Sequence, residues 1–387
     1  MAVGAAYPRG FAAAGVTAGI KASGRPDIAL VAAAEPVPAA AVFTRSRTAA
    51  PPVAVSRAAI ADGRARAVLV QSGNANAATG APGLRDAERM AALVARALGA
   101  DAGDVLVAST GVIGVPLPMD LVEPGIAAAA AALSPDGGAD AAAAIMTTDN
   151  APKTAQRDAG GARVGGMAKG AGMIRPDLGT MIAVVTTDAA LAPAAVDRIL
   201  RDAVDRSFNR ITVDGCASTS DTVALLASGA AGPADEAAVA EAVAGVCEDL
   251  ALQIVRDGEG ARRIARWRVT GAATDAEARR VAYAVAEAQL VRCALHGGDP
   301  NWGRIIAAIG ASGADVDPDR IAIAIGGIPL CADGTAVPVA DPAALDRAAA
   351  ADTVDVAIGL GDGSGAAEVW GSDLSQAYVE LNAEYTT

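Results

Sequence analysis

Residues 179–189 read GTMIAVVTTDA, a run of apolar and β-branched residues that gives the strongest strand signal in the chain. Two earlier apolar runs, IALVAAA at 28–34 and VPAAAVFT at 37–44, predict further strands, and residues 1–60 as a whole are expected to form short strands and turns. Helical periodicity predicts helices over 86–98, 126–133, 139–145, 193–206, 234–256 and 275–290. Because strands and helices are mixed along the whole chain, the sequence predicts an α/β fold.

The composition is that of a chain able to bury a large core. Of its 387 residues, 52% are hydrophobic but only 3% are aromatic, so the core is expected to consist mainly of Ala, Val, Ile and Leu. The length predicts two to three domains of ~150 residues each. No run reaches the ~18 strongly apolar residues of a membrane-spanning helix, and the opening MAVGAAYPRGF does not resemble a signal peptide. We therefore expect a cytoplasmic protein with no membrane partner.

Charge and cysteine usage exclude further classes of function. Acidic residues outnumber basic ones by 44 to 31, and the net charge of -13 argues against nucleic-acid binding, which depends on Lys and Arg neutralising phosphates. The cysteines lie far apart with no CxxC spacing, so neither a disulfide framework nor a zinc site is expected. We interpret all four as reduced core thiols: Cys216, Cys247, Cys293 and Cys331.

A single histidine, His296, narrows the catalytic options. A zinc site built on several imidazoles is excluded, and a hydrolytic triad would have to use this one ring. His296 lies in the glycine-rich segment LHGGDPNWG with no Ser or Cys nucleophile close in sequence, so we predict a structural or peripheral role for it. If the chain catalyses acyl or proton transfer, its base is expected to be a carboxylate, a lysine or a chain-terminal amine.

Glycine-rich segments do not form a nucleotide-binding motif. GLGDGSG at 359–365 has Ser364 where the third glycine of GxGxxG should stand. GARVGGMAKG at 161–170 ends in Lys-Gly, without the Lys-Ser or Lys-Thr pair of a phosphate-binding loop. The sequence therefore predicts no nucleotide cofactor.

The dipeptide Gly179-Thr180 suits a different chemistry. A hydroxyl after a flexible glycine at the entry to a strand can attack the preceding peptide bond, and an N→O acyl shift followed by hydrolysis would leave Thr180 as a new N-terminal residue. Its amine, with an unperturbed pKa near ~7.7, could then serve as base for its own hydroxyl. An ordinary β-branched residue at the start of a strand explains the spacing more simply, so the spacing alone leaves this hypothesis open.

Longer motifs carry a resemblance that covers essentially the whole chain. The chain resembles the ornithine acetyltransferase family, also known as glutamate N-acetyltransferase or the ArgJ family of arginine biosynthesis. The matching segments are GFAAAGVTAGIK, SGNANAATG, ASTGVIGVPLPM, IMTTDNAPK, KGAGMIRPDLGTM, SFNRITVDG, VRDGEGA, DPNWGRI and the closing NAEYTT.

The resemblance implies a self-cleaving enzyme with an αββα sandwich fold. The cut falls between Gly179 and Thr180, which gives an α chain of residues 1–179 and a β chain of residues 180–387 that stay together, with an α2β2 assembly expected. The family usually has Ala where this chain has Gly179, and the smaller residue should permit the backbone strain that the cut requires. No metal and no organic cofactor is implied.

The resemblance also assigns roles to individual residues. Thr180 would be the nucleophile that takes the acetyl group from N-acetylornithine and passes it to glutamate in a ping-pong scheme. Thr110 and Gly111 match the oxyanion pair that stabilises the tetrahedral intermediate. The residues that match substrate contacts are Thr147 (with Thr148 as the alternative), Lys169, Thr180, Glu259, Asn382 and Thr387. Lys169 could also assist proton transfer, and Glu259 could face the side-chain amine of ornithine.

Several positions depart from the family pattern. Where the family commonly reads VDGDTSTND, this chain has Cys216-Ala217 for Asp-Thr and Ser220 for Asn. Asn150 replaces the second Thr of TTDT, and His296-Gly297-Gly298 replaces Phe-Gly-Glu before DPNW. The change at 216–217 removes a charge and a hydroxyl, which could alter the pKa pattern of the site or its preference for the acyl donor.

The leading hypothesis is therefore acetyl transfer from N-acetylornithine to glutamate in arginine biosynthesis, with acetyl-CoA as an additional donor in some relatives. The sequence leaves two alternatives open. One is a paralogue that uses another acylated amine as donor, and the other is a related amidohydrolase or aminopeptidase that passes the acyl group to water. Both substrates of the leading hypothesis are small molecules.

Overall fold

The computed structural model describes residues 2–175 and 181–384. Three predicted site residues, Gly179, Thr180 and Thr387, lie outside the described residues. The chain folds into two compact units, in line with the lower end of the prediction from length. Among the described residues, the first comprises 2–175, 181–209 and 216–254, and the second comprises 210–215 and 255–384.

Eight strands of the first unit are joined in one hydrogen-bonded network. Numbered along the chain, they are β1 (Phe11–Val16), β2 (Ile28–Phe43), β3 (Arg64–Asn74), β4 (Val105–Val112), β5 (Lys153–Ala159), β6 (Ala162–Lys169), β7 (Ile182–Ala189) and β9 (Thr222–Gly232). Their order is β4-β3-β2-β9-β7-β6-β5, with β1 paired to β2 outside this path. Strands β6 and β7 are thus neighbours in the sheet, and in the sequence β6 precedes the predicted cleavage point and β7 follows it.

Eleven α-helices lie in the described part of the chain. They are α1 (Pro51–Ala59), α2 (Gly80–Leu98), α3 (Met119–Ala131), α4 (Gly138–Ala144), α5 (Pro193–Arg206), α6 (Glu236–Arg256), α7 (Asp275–Glu287), α8 (Gln289–Gly297), α9 (Trp302–Ala311), α10 (Pro342–Ala349) and α11 (Gln376–Glu384). Helices α1 to α5 and most of α6 belong to the first unit. In the part of the chain that the structure describes, no helix has the length and hydropathy to cross a membrane.

Strand β2 passes from one sheet layer to another. Its residues 28–32 pair with β3, whereas residues 39–43 pair with β9. The register shifts between Ala32 and Val37, next to Pro36 and Pro38, which have no N–H to donate to a ladder. The two strands predicted separately at 28–34 and 37–44 are therefore one element, because a strand can bend into a new layer where its register slips.

Alternation along β2 shows that the two layers pack face to face. Val31 lies in a core with Val184 of β7 and Leu226 of β9, whereas its neighbour Leu30 lies in a core with Met90 of α2. Successive strand residues face opposite sides, so this layer has the other layer on one face and helices on the other. On the far side of the second layer, Val246 and Leu250 of α6 lie within 3.0 Å of where a Cβ at Gly166 would stand. The first unit is thus an αββα sandwich, as predicted.

The second unit has its own seven-stranded sheet and core. Its strands are β8 (Ile211–Thr212), β10 (Ile264–Gly271), β11 (Ala322–Ile325), β12 (Ile328–Ala332), β13 (Thr335–Ala336), β14 (Thr353–Gly359) and β15 (Gly363–Ser372), in the order β13-β12-β11-β14-β10-β15-β8. Trp267 and Val269 of β10 pack with Val281 and Val285 of α7 in a single buried cluster. Helices and sheet are again mixed, which confirms the α/β class.

Some sequence predictions need correction. Residues 51–59 form a helix rather than a strand or turn, since prolines at its first positions are preorganised for helical φ. Helix α2 begins at Gly80, six residues before the periodic pattern at 86–98, and residues 275–290 do not form one helix because Ala288 is extended between α7 and α8. Cys216 and Cys293 are exposed, so only two of the four thiols lie in the core.

Candidate active site

The predicted oxyanion pair lies at the end of strand β4. Thr110 is buried, and Gly111 follows it with a φ of +130°. Gly111 is the register partner of Gly73 on the parallel strand β3, and a Cβ atom at position 111 would lie 2.4 Å from the carbonyl carbon of Gly73. Only glycine can occupy position 111, both because of this φ and because the two backbones approach so closely.

The segment SGNANAATG hydrogen-bonds to the loop that follows Thr110 and Gly111. Asn74 donates from Nδ2 to the carbonyl oxygens of Val115 (3.0 Å) and Pro116 (3.1 Å), and its Oδ1 accepts the Asn76 amide at 2.7 Å. Asn76 in turn donates to the carbonyl of Gly83 at 2.8 Å. The sequence pattern predicts no role for these asparagines. The signal available in the sequence was a pair of asparagines in a glycine-rich turn; in the fold both are buried, where polar groups need hydrogen-bond partners.

Lys169 contacts the predicted oxyanion pair directly. Its Nζ donates to Thr110 Oγ1 at 3.3 Å, although the two residues are 59 positions apart in the chain. Only 3% of Lys169 is exposed, so it is a buried lysine and not a solvated surface residue. Since Thr110 accepts this hydrogen bond, the hydrogen of its own hydroxyl can be donated to another oxygen, as an oxyanion hole requires.

A buried carboxylate, Asp149, joins two predicted substrate-contacting segments. It accepts the Thr147 amide at 2.9 Å, the Gly170 amide at 2.7 Å and Lys153 Nζ at 2.6 Å. Burial alone would raise the pKa of this carboxyl, but the positive charges of Lys169 and Lys153 and the Gly170 hydrogen bond outweigh it and lower the pKa to about 2. Asp149 is therefore ionised at neutral pH.

Lys21 is a further basic residue that interacts with Asp149, and the sequence pattern predicts no role for it. Its Nζ donates to the carbonyls of Pro26 at 2.6 Å and Ala144 at 3.2 Å, and its side chain lies against Gly73. Burial lowers its pKa to about 8, although Asp27 and Asp149 act in the opposite direction. Asp27 also accepts four backbone amides from residues 18–21 and so fixes the turn that carries Lys21. The signal available in sequence was a lysine closing the matched motif GFAAAGVTAGIK.

Asp221 binds the backbone at the start of β7. Its Oδ1 accepts the Met181 amide at 2.8 Å, and Thr222 donates its amide to the Met181 carbonyl at 3.1 Å. Among the described residues, Asp221 Oδ2 has no hydrogen-bond partner. Burial raises the pKa of Asp221 well above its ordinary range, against the effects of the Met181 and Thr44 hydrogen bonds and the charge of Lys169. Met181 follows Thr180 in the sequence, so this acid accepts a hydrogen bond from the residue next to the predicted nucleophile.

The second unit brings Glu259 and Asn382 together. Asn382 Nδ2 donates to Glu259 Oε2 at 2.9 Å and to the Tyr378 carbonyl at 3.0 Å, and Glu259 is buried. Ser375 fixes the beginning of α11 by donating to the Gly260 carbonyl at 2.6 Å and accepting the Tyr378 amide at 3.1 Å. Helix α11 is thus docked against the loop that carries Glu259.

Comparison with known proteins places these residues in a family. The ArgJ family profile matches residues 12–387. The chain belongs to the ArgJ family. It is 49% identical to the arginine biosynthesis bifunctional protein ArgJ of Symbiobacterium thermophilum, over 100% of this chain and 99% of that protein, and 48% identical to the protein of that name from Thermus thermophilus, over 98% and 99%. A solved ArgJ structure from Bacillus halodurans is 40% identical, with a TM-score of 0.49, and covers 52% of this chain and 97% of its own.

In this ArgJ family member, the departures from the family pattern differ in their surroundings. Cys216 and Ala217 are exposed, whereas Ser220 is buried and its hydroxyl lies 3.1 Å from that of Thr219. Asn150 is exposed directly after the buried Asp149.

The lone histidine of this ArgJ family member lies in the second unit. His296 Nδ1 is 2.7 Å from Oδ2 of Asp373, whose Oδ1 accepts the Arg262 amide at 2.9 Å. Neither contact involves Glu259 or Asn382. The predicted structural role of His296 therefore remains a prediction, with a buried carboxylate as its partner.

The predicted site residues that the structure describes thus form two groups. Thr110, Gly111, Lys169 and Thr147 lie in the first unit, where Lys169 links to Thr110 and Asp149 ties the Thr147 backbone to Gly170. Glu259 and Asn382 lie in the second unit and bond to each other. Thr148, the alternative to Thr147, is half-buried like Thr147, so burial does not separate the two.

Proposed function

We propose that this ArgJ family member moves an acetyl group from N-acetylornithine to glutamate. It is an acyltransferase of arginine biosynthesis that acts on small molecules, as follows from its family and from relatives matched over nearly their whole length. The donor, the covalent intermediate on Thr180, the cleavage after Gly179, the α2β2 assembly and the cytoplasmic location are the parts that we propose.

The position of Lys169 carries the proposal, through two contacts: it hydrogen-bonds to Thr110 and is the register partner of Ile182. The first contact joins a predicted substrate lysine to the predicted oxyanion pair. The second places this lysine beside the strand that begins two residues after Thr180. The nucleophile, the lysine and the oxyanion donors are therefore expected in one place, although they come from three separate segments of the sequence.

The reaction proceeds in two acyl transfers. Thr180 Oγ attacks the acetyl carbon of N-acetylornithine, and its hydroxyl proton passes through the α-amine of Thr180 to the departing ornithine nitrogen. Thr110 and Gly111 donate hydrogen bonds to the oxyanion of each tetrahedral intermediate. The amine of glutamate then attacks the acetyl-threonine, which restores the Thr180 hydroxyl and gives N-acetylglutamate.

Other residues would bind the substrates rather than react. Thr147 and Lys169 supply contacts from the predicted α chain, and Glu259, Asn382 and Thr387 supply contacts from the predicted β chain. The Glu259 carboxylate suits the side-chain amine of ornithine. The pairing of β6, from the α chain, with β7, from the β chain, supports the view that the two chains stay together after cleavage.

Intact mass under denaturing conditions, with N-terminal sequencing, tests the proposed nucleophile. The expected result is two chains, the second beginning Thr180-Met181-Ile182, whereas Thr180→Ala remains one chain of 37.9 kDa. The wild type should transfer acetyl from N-acetylornithine to glutamate, and Thr180→Ala should not. A fully active Thr180→Ala variant contradicts the proposal.

A donor and acceptor panel separates the remaining alternatives. Acetate release without glutamate, as fast as transfer with it, would assign the chain to the hydrolases. A poor rate with N-acetylornithine beside a good rate with another acylated amine would assign it to a paralogue. Acetyl-CoA belongs in the same panel, because the matched relatives are named bifunctional.

A further inference from the structure

Asp149 lies between two predicted substrate-contacting segments and bonds to both. Its Oδ2 accepts the Thr147 amide at 2.9 Å, and its Oδ1 accepts the Gly170 amide at 2.7 Å. Gly170 directly follows Lys169, so a single carboxylate sets the position of the backbone beside both predicted contacts. Only 2% of Asp149 is exposed, which leaves these hydrogen bonds with little competition from water.

We propose that Asp149 is a positioning residue of the acetyl-transfer site, which fixes Thr147 and Lys169 relative to each other and so determines how well the acyl donor fits. The inference rests on the proposed function and deepens it. Asp149 need not contact the reacting atoms to have this role. It acts through the two segments that it joins.

The chemistry of the contact requires a carboxylate. Asp149 serves three donors, because Lys153 Nζ also binds Oδ1 at 2.6 Å. An ionised carboxylate has acceptor positions on both oxygens, whereas asparagine has one acceptor oxygen and an NH2 group that donates. In Asp149→Asn, the NH2 group replaces one of the two carboxylate oxygens. It would then face a donor on either side, which is the Thr147 amide at one position and the Gly170 amide with Lys153 Nζ at the other. One of the two segments must therefore shift.

Asp188 provides a matched control for loss of a buried carboxylate. It is fully buried and also binds one cation and two backbone amides: Arg9 Nε at 2.7 Å, the Arg9 amide at 3.3 Å and the Arg163 amide at 2.6 Å. It lies at the far end of the β6–β7 pair, since Val164 pairs with Thr187 there and Lys169 pairs with Ile182 at the other end. Asp188→Asn thus removes the same kind of contact away from the predicted site.

The test compares the wild type, Asp149→Asn and Asp188→Asn as full chains. We measure KM and kcat for transfer from N-acetylornithine to glutamate, binding of N-acetylornithine by calorimetry, and the melting temperature. A displaced contact residue is expected to raise KM and Kd for N-acetylornithine roughly tenfold or more in Asp149→Asn, with near wild-type values in Asp188→Asn at a similar loss of melting temperature. Equal KM and Kd in the two variants overturn the inference.

A second variant covers the case in which Asp149→Asn does not fold. Asp149→Glu keeps the charge and the acceptor oxygens but adds a methylene group, so it should raise KM by moving the two segments, and a wild-type KM in this variant overturns the inference. Failure of the proposed function looks different. A wild-type chain that neither transfers the acetyl group nor binds N-acetylornithine overturns both, whereas an active wild type with indistinguishable Asn variants overturns only the inference.

Discussion

Gly111 faces Gly73 across two parallel strands so closely that a Cβ atom on Gly111 would lie 2.4 Å from the Gly73 carbonyl carbon. This approach places the predicted oxyanion amide where strands β3 and β4 end side by side. Lys21 packs on the same glycine, with its Cγ 3.0 Å from where a Cβ at Gly73 would stand. The backbone at this edge therefore has no room for side chains, and its shape is fixed by glycine on both strands.

Gly111→Ala should abolish transfer and lower the melting temperature. The added methyl group would displace the backbone of β3, and a φ of +130° is itself unfavourable for alanine. The control is Gly114→Ala on the following loop, where φ is +81° but no atom lies within 4 Å of the added Cβ. That variant should lose only about 1–2 kcal/mol of stability and keep most of its activity. Comparable activity in the two variants would contradict this account of Gly111.

Lys169→Met should remove most of the transfer activity while the chain still folds. The methionine side chain fills similar space in the buried site but cannot donate to Thr110 or bind a substrate anion. We expect a loss of about 10²-fold in kcat/KM, because Lys169 orients the Thr110 hydroxyl and the loss of an oxyanion donor costs about this much. Circular dichroism and the melting temperature establish that the variant is folded. Wild-type kinetics in Lys169→Met would show that the Lys169–Thr110 contact is only structural.

Asp221 should make the folded chain less stable as the pH rises. Burial raises its pKa, so the folded state holds this proton more tightly than the unfolded state does. The resulting stability is fully present below the unfolded pKa of ~3.9 and is lost as the pH rises through the folded value. Asp221→Asn keeps an acceptor for the Met181 amide but does not titrate.

The measurement is urea unfolding of the Thr180→Ala and Thr180→Ala/Asp221→Asn chains from about pH 4 to pH 8. The shared Thr180→Ala change gives both proteins the same uncut chain. The free energy of unfolding of the chain that retains Asp221 should fall relative to that of the double variant as the pH increases. Parallel pH profiles would mean that Asp221 does not titrate in this range.

Asn382→Asp should weaken binding of N-acetylornithine more than Asn382→Ala does. Asn382→Ala removes the 2.9 Å hydrogen bond to Glu259. Asn382→Asp removes the same bond and also places a second carboxylate beside that of Glu259. We expect a rise in KM of about fivefold for the alanine variant, from loss of roughly 1 kcal/mol of positioning, and a larger rise for the aspartate variant. Gln376→Ala is the control, because its partner Glu380 is exposed on the same helix. An aspartate variant with wild-type KM would exclude Glu259 from the donor site.

Local patterns predicted helices best where they were long and amphipathic. The predicted helix at 193–206 has the same bounds as α5, and the helix at 234–256 is α6 with a start two residues later. Helix α2 was predicted to begin six residues too late. Its first turns contain Gly80, Pro82 and Gly83, which disfavour a helix by themselves. Gly83 is required there because a Cβ would lie 1.8 Å from Thr79 Oγ1, a contact that only the folded loop reveals.

The candidate site was predicted only as a set of motifs. The resemblance named Thr110, Lys169 and Glu259, but nothing in their spacing indicates which of them meet. Asp149 and Lys21 lie within matched motifs and Asp221 follows Ser220, but the sequence predicts no role for them, since a carboxylate or a lysine in a sequence looks the same whether it is solvated or buried. Burial shifts the pKa values of Lys21 and Asp221, whereas neighbouring cations and the Gly170 amide outweigh burial and lower the pKa of Asp149.

The amino-acid sequence by itself determined the α/β class, the family and the identity of the predicted reacting groups, because these depend on residue types in local order. Tertiary structure decided which groups are neighbours and how they ionise. The Lys169–Thr110 hydrogen bond spans 59 residues, and the Asp149 carboxylate stays ionised through cations and amides from separate turns. Such contacts depend on the crossing of β2 between layers and on the close approach of Gly73 and Gly111, which arise only when distant segments pack together.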